Sequence, residues 1–467
     1  MIKYFINKEI DSKVNQWTIE FLIFSAGFKA KKVNKLKPDV NFYYGNDIGE
    51  IEIVKKALII KYQKNISEKL NIDNQNLLQK NEIDFDIISS TRLFLTDEIH
   101  NNLAISDFDI HNRLKFNSSY QNNNSFGSTP IVNYYVMLLT KCIEDKLKLK
   151  SYALYPKKYK SVIILSHDVD EPFRYAILKD FNSRISNLKS TNKIKYCWLS
   201  LRKKLRKILL KGEESYLNFE QIIKTEMKYG FNSTFFFSSK SKFDKKSNFV
   251  FDNSYDVSWS DFENIFSLIN TKGFEVGLHS SYNSPDELSN FISEKNRLEK
   301  YAKRKILGNR QHFWNLGPHS KNTLKMHQEA GLEYDSSLAF NDSPGYRNNV
   351  ALPYHPFNNQ NKTSIKTLQI PNFIMDTNLI TNNTINEKNI LEKAIHLIQE
   401  LEKSKGVASL NWHVRMAYPN DPKLAIYGKT YINILKHLSS KKDIWVTSFE
   451  NYYKWYCERR NSIEALK

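Results

Sequence analysis

The sequence predicts an α/β protein whose larger part is a (β/α) barrel. Three observations predict it. From residue 161 onward, short apolar runs alternate with helical stretches. Polar residues of chemical interest follow the apolar runs rather than the helices. At 467 residues the chain is also too long for one ordinary domain. Strands alternating with helices pair in parallel through crossovers. Seven or eight such units close a barrel, whose reactive side chains belong at the C-terminal strand ends.

Residues 1–150 read as a smaller α+β or α/β domain. "EIEIVKKALIIKYQ" has a strand-like start, and "DFDIISSTRLFLTDEI" alternates strand-like and polar stretches. "NRLKFNSSYQNNNSFGSTP" is a polar loop. "PIVNYYVMLLTKCIEDKLKLK" reads as a helix with Pro130 near its first turn and lysines towards its end. The region holds His100 and His111 but no acid–His cluster, so an accessory or partner-binding role is expected. The basic segment 146–160 is the expected linker, and 151–467 the barrel.

The barrel runs are "VIILSHDVD", "NSTFFFSS", "FEVGLHSS", "RKILGNRQHF", "LEYDSSLAF", "TLQIPNF", "VASLNWHV" and "DIWVTSF". Helices are expected at 216–229, 285–304, 321–330 and 386–404. One segment breaks the rhythm. In "WLSLRKKLRKILLK", 198–211, Leu201, Leu205, Ile208 and Leu209 share one helical face and basic residues fill most of the rest. Such a helix either lies on an anionic membrane or packs as an ordinary surface helix.

Composition narrows the function classes. The net charge of +19 suits an acidic glycan or anionic lipid, or reflects a Lys-rich surface. No zinc-finger spacing and no aromatic-plus-glycine RNA motif occurs, so nucleic acid is not expected. Cys142, Cys197 and Cys457 are far apart and read as reduced thiols. The start lacks a secretory pattern and no apolar run reaches ~18 residues, so a cytoplasmic protein is expected, peripheral at most to the inner face of the membrane.

The chemistry concentrates in a few phrases. In "SVIILSHDVDEP", strand alternation puts Asp168 and Asp170 on one face and His167 and Val169 on the other. Two neighbouring buried carboxylates need a cation, an arginine or a raised pKa. "FEVGLHSSYNSPDEL" places His279 after an apolar run, with Asn283 four residues on. "GNRQHFWNLGPHS" adds Arg310, His312 and His319, and "SLNWHVR" adds His413 beside Trp412. A His at a strand end facing an Asp pair suits a divalent metal.

In motif order, and in the phrases "YGFNSTFFF", "GFEVGLHSSYNS" and "AGLEYDSSLAF", residues from about 161 to 455 resemble polysaccharide deacetylases of the NodB-homology type. The resemblance implies a distorted (β/α) barrel that removes N-acetyl groups from sugars using a bound divalent metal, zinc foremost. The pattern fits a divergent bacterial branch with a Thr/Ser-His-Asp-Val-Asp opening, found among surface-polysaccharide genes. By that resemblance Asp168 is the base and Asp170, one place further on than usual, a metal ligand. His279 and Asn283 occupy the places of the family's two metal-binding imidazoles. An amide oxygen is the weaker zinc ligand. Either His319, His413 or waters complete the shell, or the metal has been lost. Arg310 matches the arginine that orients the base, Asp335 the carboxylate that holds the catalytic His, and His413 that His.

Trp314, Tyr346 and Trp412 either stack on sugar faces or belong to the core. The expected activity is removal of acetyl groups from a sugar or glycan intermediate of surface-polysaccharide synthesis. The alternatives are a catalytically silent glycan-binding scaffold, a metal-free hydrolase of a non-sugar amide, and a membrane-recruited adaptor.

Overall fold

The computed structural model describes residues 1–64, 74–156, 158–172, 219–240, 251–253, 255–380, 387–421 and 424–466. The basic segment 198–211 and Cys197 lie outside them.

Two parallel sheets organise the chain. The first runs β2-β1-β3-β4, from β1 (Ile2–Ile6), β2 (Ala30–Lys32), β3 (Phe42–Tyr44) and β4 (Leu58–Ile60). Helix α1 (Lys13–Ser25) crosses between β1 and β2, opened by Ser12, whose side chain accepts from the Asn15 N–H. Two sequence expectations change here. The strand-like start "EIEIV" is helical, α2 (Ile48–Ile53), and the alternating "DIISSTRLFL" contains α3 (Ile87–Leu95). In short segments periodicity does not separate strand from helix. The capping carboxylates decide: Asp47 accepts from Glu50 N–H, and Asp86 from Ile88 and Ser89 N–H. Helix α4 (Ile131–Leu147) is where its pattern places it.

The second sheet runs β12-β9-β8-β7-β6-β5-β14-β13, with β15 also on β5, and every pairing is parallel. Its strands are β5 (Ser161–Val169), β6 (Thr234–Phe237), β7 (Glu275–Leu278), β8 (Gly308–Asn309), β9 (Tyr334–Asp335), β12 (Leu368–Gln369), β13 (Asn372–Met375), β14 (Val407–Asn411) and β15 (Ile444–Thr447). A separate hairpin pairs β10 (Phe357–Asn358) with β11 (Thr363–Ser364). The two ends of the path, β12 and β13, are consecutive in the chain and joined by Ile370 and Pro371. One extended segment therefore pairs with β9 before the proline and with β14 after it. Proline has no N–H for a ladder, so it sits where the partner changes. That switch curls the sheet into a distorted (β/α) barrel.

Strand β5 is buried throughout and shows why its residues alternate. Ile163, Leu165 and Val169 pack with the surrounding helices, whereas Val162 and Ile164 pack inside the barrel with Phe236, Tyr334 and Phe449. Asp168 is on the interior side of that alternation. His167 faces the helices, fully buried, held by the Trp412 carbonyl at 2.7 Å and Glu226 Oε1 at 2.7 Å. The helices α5 (Phe219–Lys228), α6 (Ser260–Thr271), α7 (Leu288–Ala302), α8 (Ser320–Glu329), α9 (Glu387–Lys403), α10 (Ala425–Ser439) and α11 (Phe449–Glu464) accompany the strands.

Residues 1–150 pack directly on the barrel. Buried Asn133 accepts from the Ala351 N–H at 2.8 Å and donates to the carbonyls of Ala351 and Ser404. Arg347 forks onto Asp97 with two 2.8 Å hydrogen bonds. Val350, Leu352 and Tyr354 belong to the same apolar cluster as α1 and α4.

Candidate active site

The polar side chains gather where the parallel strands end, at the C-terminal rim of the barrel. Arg310 follows β8 and is fully buried. Its guanidinium donates to Asp168 Oδ1 and Ser166 Oγ, both at 2.9 Å, and lies 4.5 Å from the Phe236 ring centre. Asn411, the last residue of β14, donates to Asp168 Oδ2 at 2.7 Å. Burial pushes the Asp168 carboxyl up, but Arg310, with His279 and His413, outweighs it and holds the group below the usual carboxylate range. Asp168 is thus kept as a buried anion beside a fixed cation.

Asp170 lies just beyond β5 and is the hub. Its Oδ1 is 3.2 Å from His279 Nε2 and 3.5 Å from His312 Nε2. Its Oδ2 is 3.0 Å from Arg415 Nη1 and 3.3 Å from His413 Nε2. Burial raises the Asp170 carboxyl, but the His279 and His413 imidazoles and Arg415 hold it well below the usual range. The other nitrogen of His279, Nδ1, donates to the Arg310 carbonyl at 2.6 Å, which turns Nε2 towards Asp170. Burial lowers this imidazole, but Asp168 and Asp170 outweigh it and raise it above its ordinary value. Burial and the neighbouring His279 push His312 down to about 3, so it is a neutral imidazole with a lone pair.

These features fit a divalent cation. Asp170 Oδ1 is buried and accepts no hydrogen bond among the described residues. One carboxylate oxygen and two imidazole nitrogens, from Asp170, His279 and His312, lie within 4.8 Å of one another. A mixed nitrogen and oxygen set of this kind suits zinc and other first-row divalent ions.

His413 follows β14, and its partner is not the expected one. The Nδ1 edge of the ring faces both oxygens of Asp376 at 2.9 Å, and the backbone N–H of His413 donates to Asp376 Oδ2. Burial lowers the imidazole, but Asp376 outweighs it and raises His413 to about 10, so the ring is protonated. Asp335, expected to hold His413, instead binds its own turn. It accepts from the Ser337 N–H at 2.8 Å and Ser337 Oγ at 2.7 Å, and burial pushes it up to about 6. Ser337 and Ser336 in turn hold the Gln311 N–H and Arg310, so Asp335 supports the site from behind through that loop and makes no hydrogen bond to His413.

The other expected residues divide. Asn283 precedes a short turn, Ser284–Asp286, without a side-chain capping hydrogen bond, and His312 occupies the place beside His279 that Asn283 was expected to take. His319 is exposed at the start of α8. Trp314 lines the cleft. Trp412 does not: it is fully buried, stacked on Tyr431 at 5.3 Å, with its indole N–H on the Met416 carbonyl. Tyr346 is likewise core, stacked on Phe373 at 5.9 Å.

Four residues of the site escaped the sequence reading: His312 as a ligand, and Asp376, Asn411 and Arg415 altogether. Asp376 carries the same signal as Asp168, a carboxylate ending the apolar run "NFIMD". His312 lies two residues beyond Arg310, a spacing that returns both to one cleft if the chain stays extended.

No model of a known protein family matches the sequence, and no curated protein matches it significantly. Solved structures do align with it, at low identity. One assigned as a polysaccharide deacetylase, from Mycobacterium smegmatis, is 12% identical over 66% of this chain and 93% of its own, with a TM-score of 0.43. An allantoinase is 14% identical over 64% and 90%, with a TM-score of 0.41. A protein from Bordetella bronchiseptica, assigned as a polysaccharide deacetylase involved in O-antigen biosynthesis, is 11% identical over 61% and 93%, with a TM-score of 0.30. What the cleft can do is set by its own side chains.

Proposed function

We propose that the protein is a metal-dependent hydrolase that removes acetyl groups, N-acetyl foremost, from a sugar or glycan. The observation that carries this is a pairing of opposites around one cavity of about 180 Å³. A carboxylate held ionised by Arg310 and an imidazole held protonated by Asp376 both border the Asp170–His279–His312 trio. Two titratable groups driven apart by their surroundings are the signature of an acid and a base.

A divalent cation held by Asp170, His279 and His312 would supply Lewis-acid activation of water and of the acetyl carbonyl. Asp168 accepts the proton of the attacking water, because Arg310 and Asn411 fix its position and charge. His413 holds a proton on Nε2, with Asp376 behind its other nitrogen. It delivers that proton to the departing nitrogen, which leaves as a neutral amine. The products are acetate and an amino sugar, or acetate and an alcohol if the bond is an ester. The motif order shared with sugar deacetylases supports a sugar substrate, and an intermediate of surface-polysaccharide synthesis belongs to the same proposal.

The test is acetate release from a panel of N-acetylated sugars by zinc- or cobalt-loaded protein, with and without chelator, alongside Asp168→Asn. Release that needs metal and Asp168 is the expected result. Release that survives complete chelation overturns the metal dependence, and no release from any sugar by loaded protein favours a silent glycan-binding barrel.

A further inference from the structure

One wall of the cleft comes from the N-terminal part of the chain. Arg113 borders the same cavity as Asp168, Asp170, His279 and His413. It belongs to a tight turn built on Asp109. That carboxylate accepts from the backbone N–H groups of His111 and Arg113 and from Arg113 Nε at 2.7 Å. The far side of the guanidinium reaches across to the barrel, where Nη1 donates to the Phe313 carbonyl and to Asn341 Oδ1, both at 2.9 Å.

Phe313 is no ordinary partner. It and Trp314 both sit in the left-handed region, with φ of +56° and +53°, directly after the ligand candidate His312. Two successive side-chain-bearing residues there persist only when their surroundings over-determine them. The neighbouring loop does this twice. Besides the Arg113 hydrogen bond, the His111 ring lies 4.8 Å from the Phe313 ring, and His111 Nδ1 is bonded to the Tyr282 hydroxyl at 2.8 Å. Phe116 N–H anchors the loop's exit on Asp342.

We propose that the loop from Asp109 to Phe116 is an integral part of the metal cleft, in which Arg113 is a positioning residue that holds the His312–Trp314 turn in its ligating conformation. The N-terminal region is then a structural half of the active site rather than a separable accessory. This rests on the metal reading of Asp170, His279 and His312, so its test has one arm that needs no metal.

The experiment uses the full chain, with Arg113→Ala and Arg113→Lys. In the first arm, hydrogen exchange is followed without metal over the peptide spanning residues 311–317. Arg113→Ala is expected to speed exchange there about tenfold or more while peptides from β5 and β6 exchange as in the parent. In the second arm, cobalt(II) is titrated and its visible spectrum recorded. A lost supporting contact of a ligand weakens metal affinity by roughly 10–100-fold, and Arg113→Ala, one step further out, is expected near the lower end. Arg113→Lys, which keeps a donor for the Phe313 carbonyl but loses the fork, is expected to fall between. A general loss of stability would speed exchange everywhere and leave the cobalt spectrum of the folded fraction unchanged, which would overturn the proposal. So would unchanged exchange at 311–317. If the parent chain binds no cobalt, the metal reading falls while the exchange arm still decides whether Arg113 braces the turn.

Discussion

Asp376 and Asp335 are both fully buried, and what separates them is their partners. Asp376 meets the His413 ring and backbone, whereas Asp335 spends its oxygens on Ser337. Asp376→Asn is therefore expected to lower kcat on the order of 10²-fold or more, the scale of a lost general acid, with bound metal retained. Asp335→Asn is expected to lower the melting temperature while kcat stays within a few-fold. Steady-state kinetics and thermal melts on the two variants check both. The pH profile belongs at this scale too. Asp168 titrates below the usual carboxylate range, so kcat/KM rises at acid pH as the base ionises. His413 must stay protonated and is raised to about 10, so the rate holds across neutrality and falls on the alkaline side. In Asp376→Asn the alkaline limb moves to lower pH. Asp168, Asp170, His279, Arg310 and His413 stood out in the sequence because each follows an apolar run within a few residues. The resemblance assigned the carboxylate behind His413 to "EYDSS" because motif order cannot say which of two buried strand-end aspartates the ring turns towards.

At the level of elements, β7 shows how close packing sets the base. A Cβ added at Gly277 would come within 2.5 Å of two Phe236 ring carbons, and Phe236 is the ring against which Arg310 lies. Gly277→Ala is expected to destabilise the fold by about 1–3 kcal/mol, the usual cost of overpacking, and to lower kcat by disturbing Arg310 beneath Asp168. Denaturant unfolding and kinetics on one preparation measure both. The long buried strands and the helices α5, α7, α8 and α9 were legible because their apolar spacing is unambiguous. The two-residue strands β8 and β9 have no period of their own, and only the reactive residues beside them mark their place. "TLQIPNF" reads as one strand but serves two partners, and Pro371 is where it changes between them. In the N-terminal region, α2 and α3 were masked by local alternation that the Asp47 and Asp86 caps overrule.

On the scale of the whole molecule, buried polar contacts tie residues 1–150 to the barrel. Asn133 is 1% exposed and satisfies three backbone groups of Ala351 and Ser404. Asn133→Ala leaves those groups unpaired, so a loss of about 1–3 kcal/mol is expected in denaturant unfolding. Boundaries drawn from composition could not show this contact, because it joins residues 218 and 271 positions apart. The segment 198–211, where the sequence suggests a basic amphipathic helix, lies outside the described residues. No helix of the described residues is long and apolar enough to cross a membrane.

The most direct measurement is anomalous scattering at the zinc edge from crystals of zinc-loaded protein. The expected result is one strong peak bounded by Asp170 Oδ1, His279 Nε2 and His312 Nε2, lost in His312→Ala and kept in Asn283→Ala. No peak there under saturating zinc, or a peak bound through Asn283 with His312 turned away, would contradict the metal centre and the hydrolysis built on it.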